Sequence, residues 1–281
     1  MKYNLLKWAG GKAQLLREIV PRLPMSFGTY LEPFLGGGAV FFHLSRSGRI
    51  QNALLSDINS DLIAFYTAVR NDPDALSDAI DALKLSNSSQ DYYIARRLFN
   101  GLTNNDTLRR SALLIYLNHH CYNGLQRYNS RGEFNVPFGK YSNPSMPGRE
   151  ELRQFSGMLR KASLEVSDFS EILTRARKGD FVYLDPPYFP LSKSSSFTAY
   201  TKNGFSRADQ ERLASVCRNM DSRGVKFMLS HSATDPVREL FSGFNIEEIK
   251  ARRAINSVGT GRSPVSELII TNYNPPWITR T

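Results

Sequence analysis

Leu31-Glu32-Pro33-Phe34-Leu35-Gly36-Gly37-Gly38-Ala39-Val40 reads as the end of a strand, a glycine turn and the start of a helix. The next apolar run, Ala53-Leu54-Leu55-Ser56-Asp57, reads as a second strand ending on a carboxylate. Strand, glycine turn, helix and strand over residues 31–57 form the front of a doubly wound α/β domain. The turn uses glycine because a ligand approaching the backbone there leaves no room for a side chain. Two phosphate-binding patterns fail nearby. In G-x-G-x-x-G counted from Gly36, the last glycine falls on Phe41. In G-x-x-x-x-G-K-[ST] placed on Lys12, Leu6 takes the first glycine's place and Ala13 follows the lysine. A nucleoside without a phosphate chain remains, and Asp57 is placed to accept both ribose hydroxyls.

Beyond Asp57 the sheet is interrupted. Residues 59–119 are polar with helical periodicity, as in Asp61-Leu62-Ile63-Ala64-Phe65-Tyr66, Ala75 to Leu85 and Leu108 to Leu117. Residues 121–148 carry glycines at 124, 132, 139 and 148 with interspersed aromatic residues and Arg127 and Arg131, which predicts an exposed hairpin and loops. Strand-like segments then return at Ser163 to Val166, Asp180 to Leu184, Val225 to Ser230, Asn245 to Ile249 and Glu267 to Thr271, with helices at about 207–221 and 235–242. The predicted fold is α/β: a Rossmann-like sheet with helices on both faces, plus an inserted, mainly helical domain with a β-hairpin. Residues 1–59 and 150–281 supply the sheet domain, and residues 60–149 the insertion.

At 281 residues the chain can bury a core without staples. Its 36 basic and 26 acidic side chains leave a net charge of +10, which points to a polyanionic partner. Cys121 and Cys217 share no motif spacing, so a reducing compartment is expected. The four histidines are scattered, and no zinc site is expected. Met1 to Lys7 lacks the apolar run of a signal peptide, and no stretch has the roughly 20 apolar residues of a membrane span, so a cytoplasmic protein with no membrane contact is expected.

Asp180-Phe181-Val182-Tyr183-Leu184 predicts a strand that runs into Asp185-Pro186-Pro187-Tyr188. The carboxyl end of a parallel strand is where α/β sheets place ligands. The two prolines stiffen the chain and donate no hydrogen bond. A carboxylate, a free Pro186 carbonyl and an aromatic face suit an exocyclic amine on a flat base. Asp185 and the Pro186 carbonyl can accept its two N–H bonds while Tyr188 stacks on the ring. Such acceptors favour a tetrahedral nitrogen and free its lone pair. A methyl sulfonium is already electrophilic, so positioning and electrostatics suffice and no metal is required.

Six blocks in order carry a family resemblance. They are Lys7-Trp8-Ala9-Gly10-Gly11-Lys12, Glu32 to Gly38, Ser56-Asp57-Ile58-Asn59-Ser60-Asp61, Tyr122 to Asn129, Gly132 to Gly139, and Asp185-Pro186-Pro187-Tyr188. Over nearly its whole length the chain resembles the Dam-type (D12 class) DNA adenine-N6 methyltransferases. The resemblance implies transfer of a methyl group from S-adenosylmethionine to N6 of a flipped-out adenine in double-stranded DNA, leaving S-adenosylhomocysteine. Catalysis would fall to Asp185, Pro186, Pro187 and Tyr188. The cofactor would be held by Trp8, Gly10, Lys12, Glu32, Pro33, Phe34, Gly36, Gly38, Asp57, Asp168, Phe169 and Asp185, with Asp168 receiving the adenine amino group. DNA contacts would come from Lys7, Tyr122, Asn123, Leu125, Arg127, Asn129, Arg131, Asn135, Pro137 and Lys140.

Arg127 on a hairpin has the bidentate geometry that reads guanine O6 and N7. Tyr122 can fill the stack where a base leaves, since chemistry on a paired base requires extruding it. The same hairpin in Dam-type enzymes implies GATC as the site, while His120, Cys121 and Gln126 depart from the family pattern and leave flanking preference open. Residues 189–206 are expected to close over the target adenine, and Arg252, Arg253 and Arg262 around Gly259-Thr260-Gly261 to contact phosphate. The enzyme would act as a monomer, or as a dimer on DNA. Alternatives are an N4-cytosine methyltransferase, which usually has Ser in place of Asp185, a DNA-binding module without chemistry, and an RNA or protein methyltransferase.

Overall fold

The computed structural model describes residues 4–103, 106–188, 205–251 and 265–276. Its sheet contains β1 (Tyr30–Glu32), β2 (Ala53–Asp57), β3 (Ala162–Val166), β4 (Phe181–Leu184), β5 (Lys226–Ser232), β6 (Asn245–Ala251) and β7 (Val265–Thr271), in the order β3-β2-β1-β4-β5-β7-β6. The first five strands are parallel, and β7 runs antiparallel between β5 and β6. This is the Rossmann-like α/β architecture with one strand inserted in reverse. The chain reverses its direction of growth between β1 and β4, and ligands bind at the carboxyl ends of strands flanking such a switch point.

The central strands β1, β2 and β4 are short, mostly apolar, buried runs because both of their faces are covered, whereas the edge strand β3 is partly exposed. Leu54, Leu31, Val182 and Phe227 are adjacent in register and belong to one core. That face is covered by α8 (Phe169–Arg175), α9 (Arg207–Ser222) and α10 (Asp235–Leu240), whose buried Leu213, Ala214, Cys217 and Met220 repeat at helical spacing along α9. The opposite core takes Tyr30, Leu55, Phe181, Tyr183 and Met228 from the sheet. Helices α1 (Leu16–Ile19), α2 (Ala39–Arg46), α3 (Ser60–Asn71) and α7 (Arg149–Leu159) contribute to it, and so do α4 (Pro73–Ala82), α5 (Ser89–Gly101) and α6 (Thr107–His120). The inserted helices thus continue the sheet's own core. Asn59, Ser88 and Asp106 cap α3, α5 and α6 through their side chains.

Helices α5, α7 and α8 go beyond the sequence expectation. The expected hairpin has antiparallel pairing without continuous strands, through the isolated bridges Cys121↔Phe138 and Tyr128↔Phe134. A left-handed Asn123 and Gly124, together with Pro137, which has no N–H, interrupt the ladder. Both cysteines are buried free thiols, and burial pushes Cys121 up to about 12. No helix among the described residues is long and apolar enough to cross a membrane. Residues 189–204, Arg252, Arg253, Gly259-Thr260-Gly261 and Arg262 lie outside the described residues.

Candidate active site at the switch point

The glycine turn leaves β1 and the D-P-P-Y turn leaves β4, its neighbour. Gly36 and Gly38 have φ of +46° and +64°, a region that favours glycine. A Cβ on Gly36 would lie 2.6 Å from the indole nitrogen of Trp8, and one on Gly38 2.7 Å from the ring of Phe42. Trp8 therefore rests on the turn, and only glycine permits that approach. Asp57, at the end of β2, braces the same turn. Its Oδ2 accepts the Gly36 N–H at 3.0 Å and its Oδ1 the Asn59 N–H at 3.0 Å. Each oxygen keeps a lone pair for a further donor. Burial raises the Asp57 carboxyl above its ordinary range, with these backbone bonds pulling against it.

Glu32 ends β1 and is buried; the Tyr30 hydroxyl donates to its Oε2 at 2.7 Å. Burial pushes Glu32 up to about 8, opposed by Tyr30 and helped by the charge of Asp185. Pro33, at the start of this turn, is buried, and Gly10 is exposed with φ +78°. Phe34 stacks on Phe169 with ring centroids 5.3 Å apart. Asp168 caps α8 through the Ser170 N–H at 2.9 Å and holds Arg212 by both oxygens, at 2.8 and 3.0 Å. Burial would raise its carboxyl, but Arg212 and Ser170 outweigh burial and lower it.

Lys12 is 3% exposed and donates all three ammonium hydrogens: to Gly10 O at 2.9 Å, Asp185 Oδ1 at 2.6 Å and the Tyr188 hydroxyl at 3.0 Å. Burial works against its charge, but Asp185, Tyr188 and Glu267 outweigh burial and hold it well above the ordinary lysine range. Asp185 is pushed up by burial, with Lys12 pulling it down. Ser230 also donates to Asp185 Oδ1, at 3.4 Å. Both contacts fall on one oxygen, so the lone pairs of Oδ2 remain for an incoming N–H. The Tyr188 hydroxyl passes its own hydrogen to Glu267 Oε1 at 2.7 Å. Ser230, Glu267, Gln210 and His231 all touch this cluster or its neighbours, and sequence reasoning missed all four. For the three in strands the signal was polarity inside an apolar run, as in Ser230-His231-Ser232 after Phe227-Met228-Leu229, and Gln210 lies on the buried face of α9.

The other expected residues lie around the hairpin. Tyr122 is 41% exposed at its base. Arg127 is held across it by Asn135, with Nε donating to Oδ1 at 2.7 Å. Asn129 caps the tip by accepting the Arg131 and Glu133 N–H groups, and Arg131 pairs with Glu133 at 3.1 Å. Asn123 donates its backbone N–H to Tyr141, Pro137 O accepts that of Tyr122, and Leu125 O accepts from the Cys121 thiol. Lys140 is exposed in a left-handed conformation. Lys7 does not project freely. Its Nζ donates to His119 O at 2.9 Å and lies 4.0 Å from the centre of the Tyr141 ring, while its backbone exchanges two hydrogen bonds with Asn118. The segment from Lys7 to Lys12 thus joins the last turn of α6, where the hairpin begins, to Asp185.

Residues 8–255 match the family model of D12 class N6 adenine-specific DNA methyltransferases. The type II methyltransferase M.MjaIII of Methanocaldococcus jannaschii is 43% identical, over 95% of this chain and 98% of its own. A DNA adenine methylase of Serratia marcescens is 43% identical over 96% and 98%, and one of Vibrio cholerae 37% identical over 94% and 94%. With an α/β switch point that gathers a buried lysine, a carboxylate and an aromatic ring, and with such similarity along its length, the chain belongs to the D12 class of N6 adenine-specific DNA methyltransferases and methylates adenine in DNA.

Proposed function

We propose that the methyl group comes from S-adenosylmethionine, seated between the glycine turn and the D-P-P-Y turn, and that the acceptor is an adenine turned out of a GATC site in duplex DNA. The donor groups suit such a cofactor. Asp57 keeps lone pairs for ribose hydroxyls, and the carboxyl groups of Asp57 and Asp185 at the strand ends disfavour a phosphate chain. Exposed Ile58 and Val166, at the ends of β2 and β3, offer an apolar border for a purine. Bound there, S-adenosylmethionine supplies an electrophilic methyl group. Trp8, Phe34, Asp57, Asp168 and Phe169 orient it, while Lys12 pairs with Asp185 and opposes the effect of its burial.

The observation that carries the reading is the unshared oxygen of Asp185. Asp185 Oδ2 and the Pro186 carbonyl accept the two N6 hydrogens, and Tyr188 stacks on the base, so the nitrogen lone pair is turned outward. Residues 60–149 recognise the target and residues 1–59 and 150–281 perform the transfer. In the hairpin, Asn135 occupies the Nε side of Arg127, leaving the other edge of the guanidinium for guanine. Tyr122 fills the gap left by the extruded base. Methylating a defined plasmid and mapping every modified base tests this. N6-methyladenine confined to GATC is expected. Methylation at another sequence would remove the GATC assignment, and N4-methylcytosine alone would remove adenine as the target.

A further inference from the structure

A buried polar chain runs to the D-P-P-Y turn from α9 and β5. Gln210 of α9 is 1% exposed and His231 of β5 is fully buried. The Ser232 backbone N–H lies 2.9 Å from His231 Nδ1. A backbone N–H only donates, so Nδ1 accepts and the ring hydrogen sits on Nε2. Nε2 then donates to Gln210 Oε1 at 3.1 Å. With its oxygen so used, the Gln210 amide presents its NH2 group to the Pro187 carbonyl at 3.3 Å. Every link in this chain runs one way, from Ser232 through His231 and Gln210 to Pro187. The direction assigns both the tautomer and the orientation of the amide.

We propose that Gln210 and His231 are positioning residues for adenine methylation, locking the peptide between Pro187 and Tyr188 so that the aromatic ring is set before the base arrives. The proposal rests on the reading of Asp185 to Tyr188 as the amine-binding platform. The proline rings fix φ at Pro186 and Pro187, leaving the peptide after Pro187 as the rotor that aims Tyr188. The relay holds that rotor. The far end of Tyr188 is held by Lys12 and Glu267, and its ring lies 5.9 Å from that of His231. Tyr188 is therefore gripped at its backbone and at its hydroxyl. An apolar pair would fill this core with less desolvation, and a fully satisfied polar chain instead specifies one arrangement. Burial, aided by the charge of Lys12, keeps the His231 pKa near 4, so the neutral tautomer persists around neutral pH.

The test compares the wild-type protein with Gln210→Met, His231→Phe and His231→Gln. Single-turnover methylation, cofactor and duplex affinity, and the fluorescence of 2-aminopurine at the target position are measured. Gln210→Met should slow transfer about a hundredfold, the scale of a small misplacement at a reacting centre, with both affinities held within about threefold. The 2-aminopurine signal should change because the ring no longer stacks as set. His231→Phe should behave alike, and His231→Gln, which keeps a donor towards Gln210, should recover at least about tenfold of the loss. Nitrogen-15 shifts of His231 should report hydrogen on Nε2. Transfer by Gln210→Met within about threefold of wild type, hydrogen on Nδ1, or equal losses in His231→Phe and His231→Gln would overturn the proposal. If Gln210→Met does not fold, the two His231 variants carry the same contrast. Failure of the wild-type protein to methylate adenine would overturn the platform reading itself, and the nitrogen shifts would still confirm or refute the relay.

Discussion

Lys12 has no hydrogen left for water, since Gly10, Asp185 and Tyr188 take all three. Replacing it by methionine leaves Asp185 and Glu267 without their cation. Breaking a buried pair this way costs up to about 5 kcal/mol, and because Asp185 keeps 21% of its side-chain surface exposed, about 2–4 kcal/mol is expected for Lys12→Met, together with loss of transfer. Urea denaturation midpoints check the first and a labelled-methyl assay the second. Glu32 behaves differently, because no cation offsets its burial. Unfolded, it ionises near 4.5; folded, near 8. A raised folded value means stability is full below the unfolded pKa and falls as pH rises through the folded one. Glu32→Gln keeps an acceptor for the Tyr30 hydroxyl and removes the ionisation. The variant and wild type should be alike near pH 4.5, and the variant should lead by roughly 3–5 kcal/mol at pH 8. Thermal melts across that window measure the crossover; parallel curves would mean Glu32 ionises freely in the fold.

At the scale of elements, the hairpin and the N-terminal segment are one unit. Gly124 has φ +62°, and a Cβ there would lie 2.3 Å from that of Lys7. Gly124→Ala should cost about 1–3 kcal/mol through strain and overpacking, and should expose Lys7 to faster tryptic cleavage. An unchanged digestion rate would show that the segment docks without this contact. Arg127→Ala should relax discrimination at one base pair by roughly 1–3 kcal/mol; an equal loss on every duplex would make Arg127 a phosphate contact instead. Sequence legibility also divides by element. The glycine turn and the strand into Asp185 were readable because their backbone demands restrict residue type. Helix α5 was not, since only Tyr92, Ala95 and Phe99 mark its buried stripe among Gln90, Asp91, Arg96 and Arg97. Glu267, Gln210 and His231 could not be placed from sequence either. They come from β7, α9 and β5, and only the reversed insertion of β7 beside β5 brings Glu267 to Tyr188. A strand covered on both faces should be apolar throughout, so the polarity of Glu267 and His231, like that of Gln210 on the buried face of α9, was a signal without an address.

For the whole molecule, the net charge of +10 should appear as a steep dependence of DNA affinity on salt. Lys140 is exposed beside the hairpin, and Lys140→Ala should reduce the slope of log affinity against log salt by about 1 while leaving sequence preference intact. Isothermal binding curves at several salt concentrations measure this, and an unchanged slope would place Lys140 off the DNA.

The segment from Lys7 to Lys12, bonded at one end to the last turn of α6, where the hairpin begins, and at the other to Asp185, would also act as a ruler. In the proposed function, where the hairpin reads bases and Asp185 holds the target amine, it would set the offset along the duplex between the base that is read and the base that is modified. Substitutions at the hairpin tip would then alter which sequence is chosen, while the modified position within that sequence would stay at the same step. New specificities of this scaffold should therefore arise as changes of letters around a fixed adenine.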